Sequence, residues 1–260
     1  MTMPKFSANL GFLWPDRPLP QRIEAAANAG FKAVELHWPY DIPAETVREA
    51  CASRGLTLLA LNTPPGDMAK GDFGLGAVAG REAEFMDGFD KAADYVRRAG
   101  GTGVHVMAGV VAPENKTAAA HIFLENLVAV AARAPELTLL LEPINQRDKP
   151  GYFYSTLAEA AALIDKAGAP NIRIMFDAYH VGISEGQVLA RLEDHLPMIG
   201  HVQIAAVPSR AEPDEGELDY RAFFAALDRV GYAGWTGFEY KPRAGTDEGL
   251  GWVKALGVSL

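Results

Sequence analysis

The sequence predicts an α/β protein folded as a (β/α)8 TIM barrel, a single domain over residues 1–260. Three observations carry the prediction. Eight short apolar runs alternate with eight helical patterns, as parallel strands joined by helical crossovers require. The 260 residues divide into units of about 32, close to one β/α repeat of a barrel of roughly 250 residues. Five helical stretches run into a glycine just before the next strand (Gly30, Gly55, Gly100, Gly168, Gly231), each a candidate left-handed C-cap. A doubly wound open sheet is the alternative, but no G-x-G-x-x-G follows any strand.

The elements follow in order. Phe6–Leu10 is the first strand and Gln21–Ala29 the first helix. Ala33–His37 is the second strand, after which Asp41 is placed to N-cap a helix with Pro43 and Glu45 in its first turn, ending at Gly55. Leu56–Asn62 is the third strand. A glycine-rich loop, Thr63–Gly80, then leads into a long helix, Arg81–Ala99. Gly103–Met107 precedes a helix over Asn115–Arg133, and Leu137–Glu142 precedes one over Leu157–Ala167. Ile172–Asp177, a helix near Gly186–Leu192, Met198–Ile204, a helix over Tyr220–Val230, Gly234–Tyr240 and a last helix over Asp247–Leu256 complete the repeat. Runs such as Leu137–Leu141 and Ile172–Phe176 are apolar at most positions, as in strands buried on both faces.

Composition narrows the function. The chain is 49% hydrophobic and 22% charged, enough to bury a core without disulfides or a structural metal. No run approaches the roughly 18 apolar residues of a membrane span, and Met1–Pro20 lacks the pattern of a secretory signal. The formal charge of −9 opposes binding to a phosphate backbone, so no nucleic-acid partner and no membrane partner is expected. It leaves room for a small anion met by a local arginine. The single cysteine, Cys51, excludes an intrachain disulfide and a multi-cysteine zinc site, and reads as a buried helix residue. A cytoplasmic location follows from these absences.

In a β/α barrel the active site forms at the C-terminal ends of the strands. The polar residues ending apolar strands are Asn9, Glu35 and His37, Asn62, His105, Glu142, Asp177, Gln203 and Glu239. Glu142, Asp177, Gln203 and Glu239 lie 35, 26 and 36 residues apart, about one repeat each, so four successive strands aim them at one point. Three carboxylates and an amide oxygen suit a hard or borderline divalent cation, Mg²⁺ or Mn²⁺. His180 is a ligand, a substrate donor or a loop residue. His105 and His201 lie inside strands and favour packing roles, and His37 lines the pocket or caps its strand. Trp14, Trp38 and Trp235 are pocket walls or core. Arg210, just past the seventh strand, is placed to clamp a carboxylate in bidentate fashion. Asp214, Glu215 and Glu217 read as a solvated acidic rim, and Lys241 and Arg243 as positive charge near the mouth.

These residues fall inside motifs that resemble the hydroxypyruvate isomerase family, part of the xylose-isomerase-like barrels that include ketose 3-epimerases. The resemblance runs over nearly the whole chain. It is carried by Phe6-Ser7-Ala8-Asn9-Leu10, Asn62-Thr63-Pro64-Pro65-Gly66-Asp67, Gly80-Arg81-Glu82, Leu141-Glu142-Pro143-Ile144-Asn145, Phe176-Asp177-Ala178-Tyr179-His180, His201-Val202-Gln203-Ile204-Ala205 and Glu239-Tyr240-Lys241-Pro242. It implies that Glu142 and Glu239 are both the acid/base pair and metal ligands, that Asp177 and Gln203 complete the ligand set, and that His180 and Arg210 touch substrate. Asn9, Asn62 and His105 are further candidates for substrate contact. The epimerases often carry His where this chain has Gln203, so that position matches the isomerase branch.

The activity this implies is isomerisation of a small 2-oxo acid, hydroxypyruvate to tartronate semialdehyde, through a metal-stabilised enediolate. Glu142-Pro143-Ile144-Asn145 resembles hydroxypyruvate isomerases; Val104–Val110 and Glu212–Glu217 resemble 2-oxotetronate isomerases. A ketose 3-epimerase and a non-catalytic sugar-acid binding protein are the alternatives. A glycosidase would not need Asp177 and Gln203 beside its two carboxylates, and a nuclease of this barrel group would want more histidines and a basic face. Barrels of this group often form homo-oligomers, although no stretch here marks an interface.

Overall fold

The structure is a computed structural model and describes residues 4–260; the first three residues of the Met1–Pro20 segment lie outside the described residues. Its strands are β1 (Lys5–Asn9), β2 (Ala33–Glu35), β3 (Thr57–Leu58), β4 (Ala60–Asn62), β5 (Gly103–His105), β6 (Thr138–Leu141), β7 (Ile172–Asp177), β8 (Ile199–Ile204) and β9 (Trp235–Phe238). The helices are α1 (Leu19–Ala29), α2 (Ala44–Ala52), α3 (Glu82–Ala99), α4 (Lys116–Arg133), α5 (Leu157–Ala167), α6 (Ala178–Ser184), α7 (Val188–His195), α8 (Tyr220–Arg229), α9 (Thr246–Gly249) and α10 (Gly251–Ala255).

All strand pairs are parallel, in the order β3-β2-β1-β9-β8-β7-β6-β5-β4. The two ends of that order are one stretch of chain. β3 pairs with β2 and β4 with β5, and Leu59 between them donates its N–H to Val34 (2.9 Å) and accepts from Gly103 (2.8 Å). The predicted third strand, Leu56–Asn62, is therefore broken where it changes partner, and the break closes the barrel.

Local chemistry explains several element ends. Gly30, Gly55, Gly100, Gly168 and Gly231 all have positive φ as expected; at Gly30 (φ 106°) the N–H returns to Ala26 and Ala27 in a left-handed cap. Thr156 and Glu159 form a capping box on α5. Asp41 does not cap α2: Pro43 stands at the N-cap and no side chain bonds the first turn. The helix predicted at Gly186–Leu192 lies at Val188–His195, and α6, starting directly from β7 under an Asp177 cap, was not anticipated. The last predicted helix breaks into α9 and α10 between Gly249 and Gly251, two poor helix formers.

Side chains facing outward from the strands pack under the helices. Phe238 meets Phe6, Phe31 and Trp252 with ring centroids 5.0, 5.2 and 4.6 Å apart, each such burial stabilising by about 1.5–3 kcal/mol. Trp14 and Cys51 are buried in the same core. Inward-facing residues alternate with these. Ala60, Leu140 and Met175 form a small apolar layer inside the ring, while Ser7, Glu35 and His201 are hydrogen-bonded together there. Two residues further on, the same strands carry Asn62, Glu142, Asp177, Asn9 and Gln203. The period of two thus decides which residues reach the mouth. Among the described residues no helix is long and apolar enough to cross a membrane.

Candidate active site at the barrel mouth

Glu142, Asp177, Gln203 and Glu239 stand at the ends of β6, β7, β8 and β9, all buried. Asp177 Oδ1 accepts the backbone N–H of Tyr179 (2.8 Å) at the start of α6, which leaves Oδ2 for the site. Glu239 accepts from Asn9 Nδ2 (2.6 Å) and Gln203 Nε2 at Oε2, and from Arg210 Nη2 (3.0 Å) at Oε1. Among the described residues, Glu142 Oε1, Asp177 Oδ2 and Gln203 Oε1 are buried with no hydrogen-bond partner. Native proteins rarely leave such atoms unpaired.

Burial, with the charge of Asp177 beside it, pushes Glu142 up to about 8. Burial lifts Asp177 to about 6 against the pull of Arg210, and burial and the Glu142 charge push Glu239 well above the usual carboxylate range. A divalent cation fits this donor set, since it would satisfy the unpaired oxygens and relieve the repulsion among the acids. Glu142, Asp177 and His180 each place one ligand-type atom within 4.8 Å of the others.

His180 rides on α6, and its Nδ1 receives the Asn145 backbone N–H (3.2 Å) and Asn145 Nδ2 (2.6 Å). The Asn145 amide is oriented by its Oδ1, which accepts from the Asp148 N–H (2.8 Å). Both partners are donors, so Nδ1 accepts and the neutral ring carries its proton on Nε2, 3.5 Å from Glu142 Oε1 and 3.6 Å from Asp177 Oδ2. Burial and Arg210 hold His180 well below the ordinary histidine range.

Arg210 adopts φ 58° and lies with its guanidinium over Phe12 (4.8 Å) and Tyr179 (5.0 Å). It also bonds Asp148 (3.2 Å), and its buried Nε–H has no partner among the described residues. Asn62, His105, Glu142, His180, Arg210 and Glu239 line one cavity of about 110 Å³. A wider cleft of about 410 Å³ beside α7 is largely apolar, with its acids Glu217 and Asp219 exposed.

Asn9 stands behind Glu239 rather than on that cavity lining. His105 has Nδ1 3.5 Å from Glu142, and burial holds it down to about 3. His37 also lines the cavity, held down to about 4 by burial and Arg210. His201 is buried against Glu35. Of the three tryptophans considered for the wall, Trp38 lines the cavity; Trp14 is core, and Trp235 lies at the far end of β9 under Lys5. Lys241 is exposed, and Arg243 is taken up by Glu212, Asp214 and Glu215, so neither supplies positive charge to the cavity. Asp214, Glu215 and Glu217 are exposed as expected.

Asp148 was missed. It lines the cavity and accepts from Arg210 and Tyr179. The charged run Arg147-Asp148-Lys149 just after a strand was the available signal. Lys149, with Nζ 4.0 Å from the Phe73 ring centroid, ties the β6–α5 loop to the Thr63–Gly80 loop.

The family model described as the xylose isomerase-like TIM barrel matches residues 23–256. The chain belongs to that family. It is 44% identical over 255 residues to a 2-oxo-tetronate isomerase of Cupriavidus necator, covering 97% of this chain and 98% of that protein. It is 36% identical over 254 residues to a hydroxypyruvate isomerase of Escherichia coli, covering 96% and 98%. A solved structure named as an AP endonuclease, family 2, from Brucella melitensis superposes with a TM-score of 0.94 at 40% identity, covering 97% of this chain and 99% of that one. Within the xylose isomerase-like barrels, the chain thus falls in the group of hydroxypyruvate and 2-oxo-tetronate isomerases and is an enzyme of the isomerase class.

Proposed function

We propose that this chain interconverts the ketose and aldose forms of a small 2-oxo acid, hydroxypyruvate to tartronate semialdehyde being the simplest case. Residues 1–260 act as one catalytic barrel. Glu142, Asp177, Gln203 and Glu239 hold a divalent cation, Mg²⁺ or Mn²⁺, and Glu142 and Glu239 form the acid/base pair. The observation that carries this reading is the trio of unpartnered buried oxygens on Glu142, Asp177 and Gln203, drawn from three neighbouring strands. When bound, the cation supplies Lewis acidity to the substrate carbonyl and its neighbouring hydroxyl.

The chain's own groups do the rest. One glutamate takes a proton from C3 and the other delivers one to C2, each from about 3 Å. The hydroxyl proton on the C3 oxygen moves to the C2 oxygen, so CH2OH–CO becomes CHO–CHOH with no change in composition. His180 donates its Nε2–H to a substrate oxygen. The unpartnered Nε–H of Arg210 donates to the substrate carboxylate, and the Phe12 and Tyr179 rings hold the guanidinium in place.

The 44% identity to a 2-oxo-tetronate isomerase favours a second substrate, the four-carbon 2-oxo acid. The acidic chain and small cavity favour a small anion over nucleic acid. Proton NMR in D2O with hydroxypyruvate and with 2-oxotetronate tests the reading. Deuterium should enter C2 or C3 as product accumulates, and chelation should stop it. Ligand binding without exchange means a sugar-acid binding protein instead.

A further inference from the structure

Gln203 can present either end of its amide to a cation, because the two ends have nearly the same shape. Only the carbonyl end ligates. Its NH2 group has two protons, and both are taken. Nε2 donates to Glu239 Oε2 and, at 2.7 Å, to Glu35 Oε2. The carbonyl Oε1 is what remains, without a partner among the described residues.

Glu35 stands on β2, 3% exposed, and its carboxylate is itself built in place. Ser7 Oγ donates to Oε1 (2.9 Å), and His201 Nε2 lies 3.1 Å from both oxygens. The backbone makes room for it. A Cβ on Gly237 would lie 2.0 Å from Glu35 Oε1 and 3.0 Å from His201 Nε2, so a side chain there would collide with the carboxylate. Gly237 is the β9 residue registered against both Ser7 and Gln203. Residues of β1, β8 and β9 thus hold the β2 carboxylate against an amide that itself belongs to β8. An ionised carboxylate only accepts hydrogen bonds, so it can meet the NH2 end of Gln203 and never the carbonyl end.

We infer that Glu35 is a positioning residue that fixes the Gln203 carboxamide with its carbonyl oxygen turned to the cation. The inference rests on the proposed cation site. Groups behind a metal ligand typically change metal affinity by about 10–100-fold. Glu35→Gln replaces an acceptor-only group by one that can also donate, so it removes one of the two carboxylates that hold the Gln203 amide and lets the flipped amide compete.

The test is Mn²⁺ affinity measured by titration calorimetry or electron paramagnetic resonance on purified, metal-stripped protein. Glu35→Gln should weaken binding about tenfold or more. In a Gln203→Ala background the same change should alter affinity by less than about twofold, because the partner through which it acts is gone. Glu35→Asp keeps the charge and shortens the reach. It should weaken binding as Glu35→Gln does, and it serves as the readout if Glu35→Gln does not fold. Wild-type affinity in the single variants, or an equal loss with and without Gln203, overturns the inference while leaving the cation site standing. A wild-type protein that binds no Mn²⁺ overturns the cation site and the inference with it.

Discussion

The Nδ1 atom of His180 accepts the backbone N–H of Asn145 at 3.2 Å. A backbone amide cannot change from donor to acceptor, so this bond fixes the tautomer of a histidine that the metal-like cluster would otherwise claim as a ligand. Coordination through Nε2 needs that nitrogen bare, with the proton on Nδ1. His180→Asn should therefore leave Mn²⁺ affinity within about twofold while lowering kcat about a hundredfold, a loss in the range of one removed transition-state donor. A drop in Mn²⁺ affinity matching the loss of rate would make His180 a ligand.

Glu142 and Glu239 should each be indispensable. Glu142→Gln and Glu239→Gln keep the size of the side chain and remove the base, and each should lower kcat by about 10²–10⁴-fold. Deuterium exchange at the substrate carbon, followed by NMR, separates the two: the variant lacking the base of a given direction loses exchange in that direction first. Near-normal turnover in either variant rules out the two-glutamate scheme.

Arg210→Lys should raise KM about tenfold or more while the fold persists. Lysine keeps the charge but has no Nε–H in a flat fork and no surface to lie over Phe12 and Tyr179. A KM equal to that of the wild type for the carboxylate substrate would remove Arg210 from anion recognition.

Metal-free protein should become less stable as pH rises. Folding raises Glu142 to about 8 and Asp177 to about 6, chiefly through burial, whereas the unfolded chain titrates near 4. Between those values the folded protein holds protons that the unfolded chain has released. The contribution of these groups is complete below about pH 4 and is lost as pH climbs to about 8. Melting of chelated protein between about pH 5 and 8 should show a falling Tm, and Mn²⁺ should raise Tm most at the alkaline end, where protons no longer compete. A Tm of chelated protein that stays level or rises across that range contradicts the assignment.

Gly237→Ala should destabilise the barrel by about 1–3 kcal/mol, the usual penalty for overpacking. The added Cβ collides with the Glu35 carboxylate at 2.0 Å. Chemical denaturation measures it. Stability equal to wild type would mean that Glu35 has room to move.

The sequence by itself determined the repeat and the four strand-end residues Glu142, Asp177, Gln203 and Glu239. Both are local facts: a period-two strand buried on two faces reads as an apolar run, and a polar residue at its end stands out against that run. The helix starting at Ala178 was hidden because Asp177 ends a strand and caps a helix with the same side chain. Asp148 was hidden because a charge in a loop looks alike whether it faces solvent or a cavity. Only the tertiary structure decided what each group is paired with. Sequence order says nothing of Glu35 meeting Gln203 across 168 positions, of Arg210 reaching Asp148 and Glu239 together, or of a proton fixed on His180 Nε2. Those pairings come from closing the ring of strands, which brings together side chains whose separation along the chain carries no trace of their distance in space.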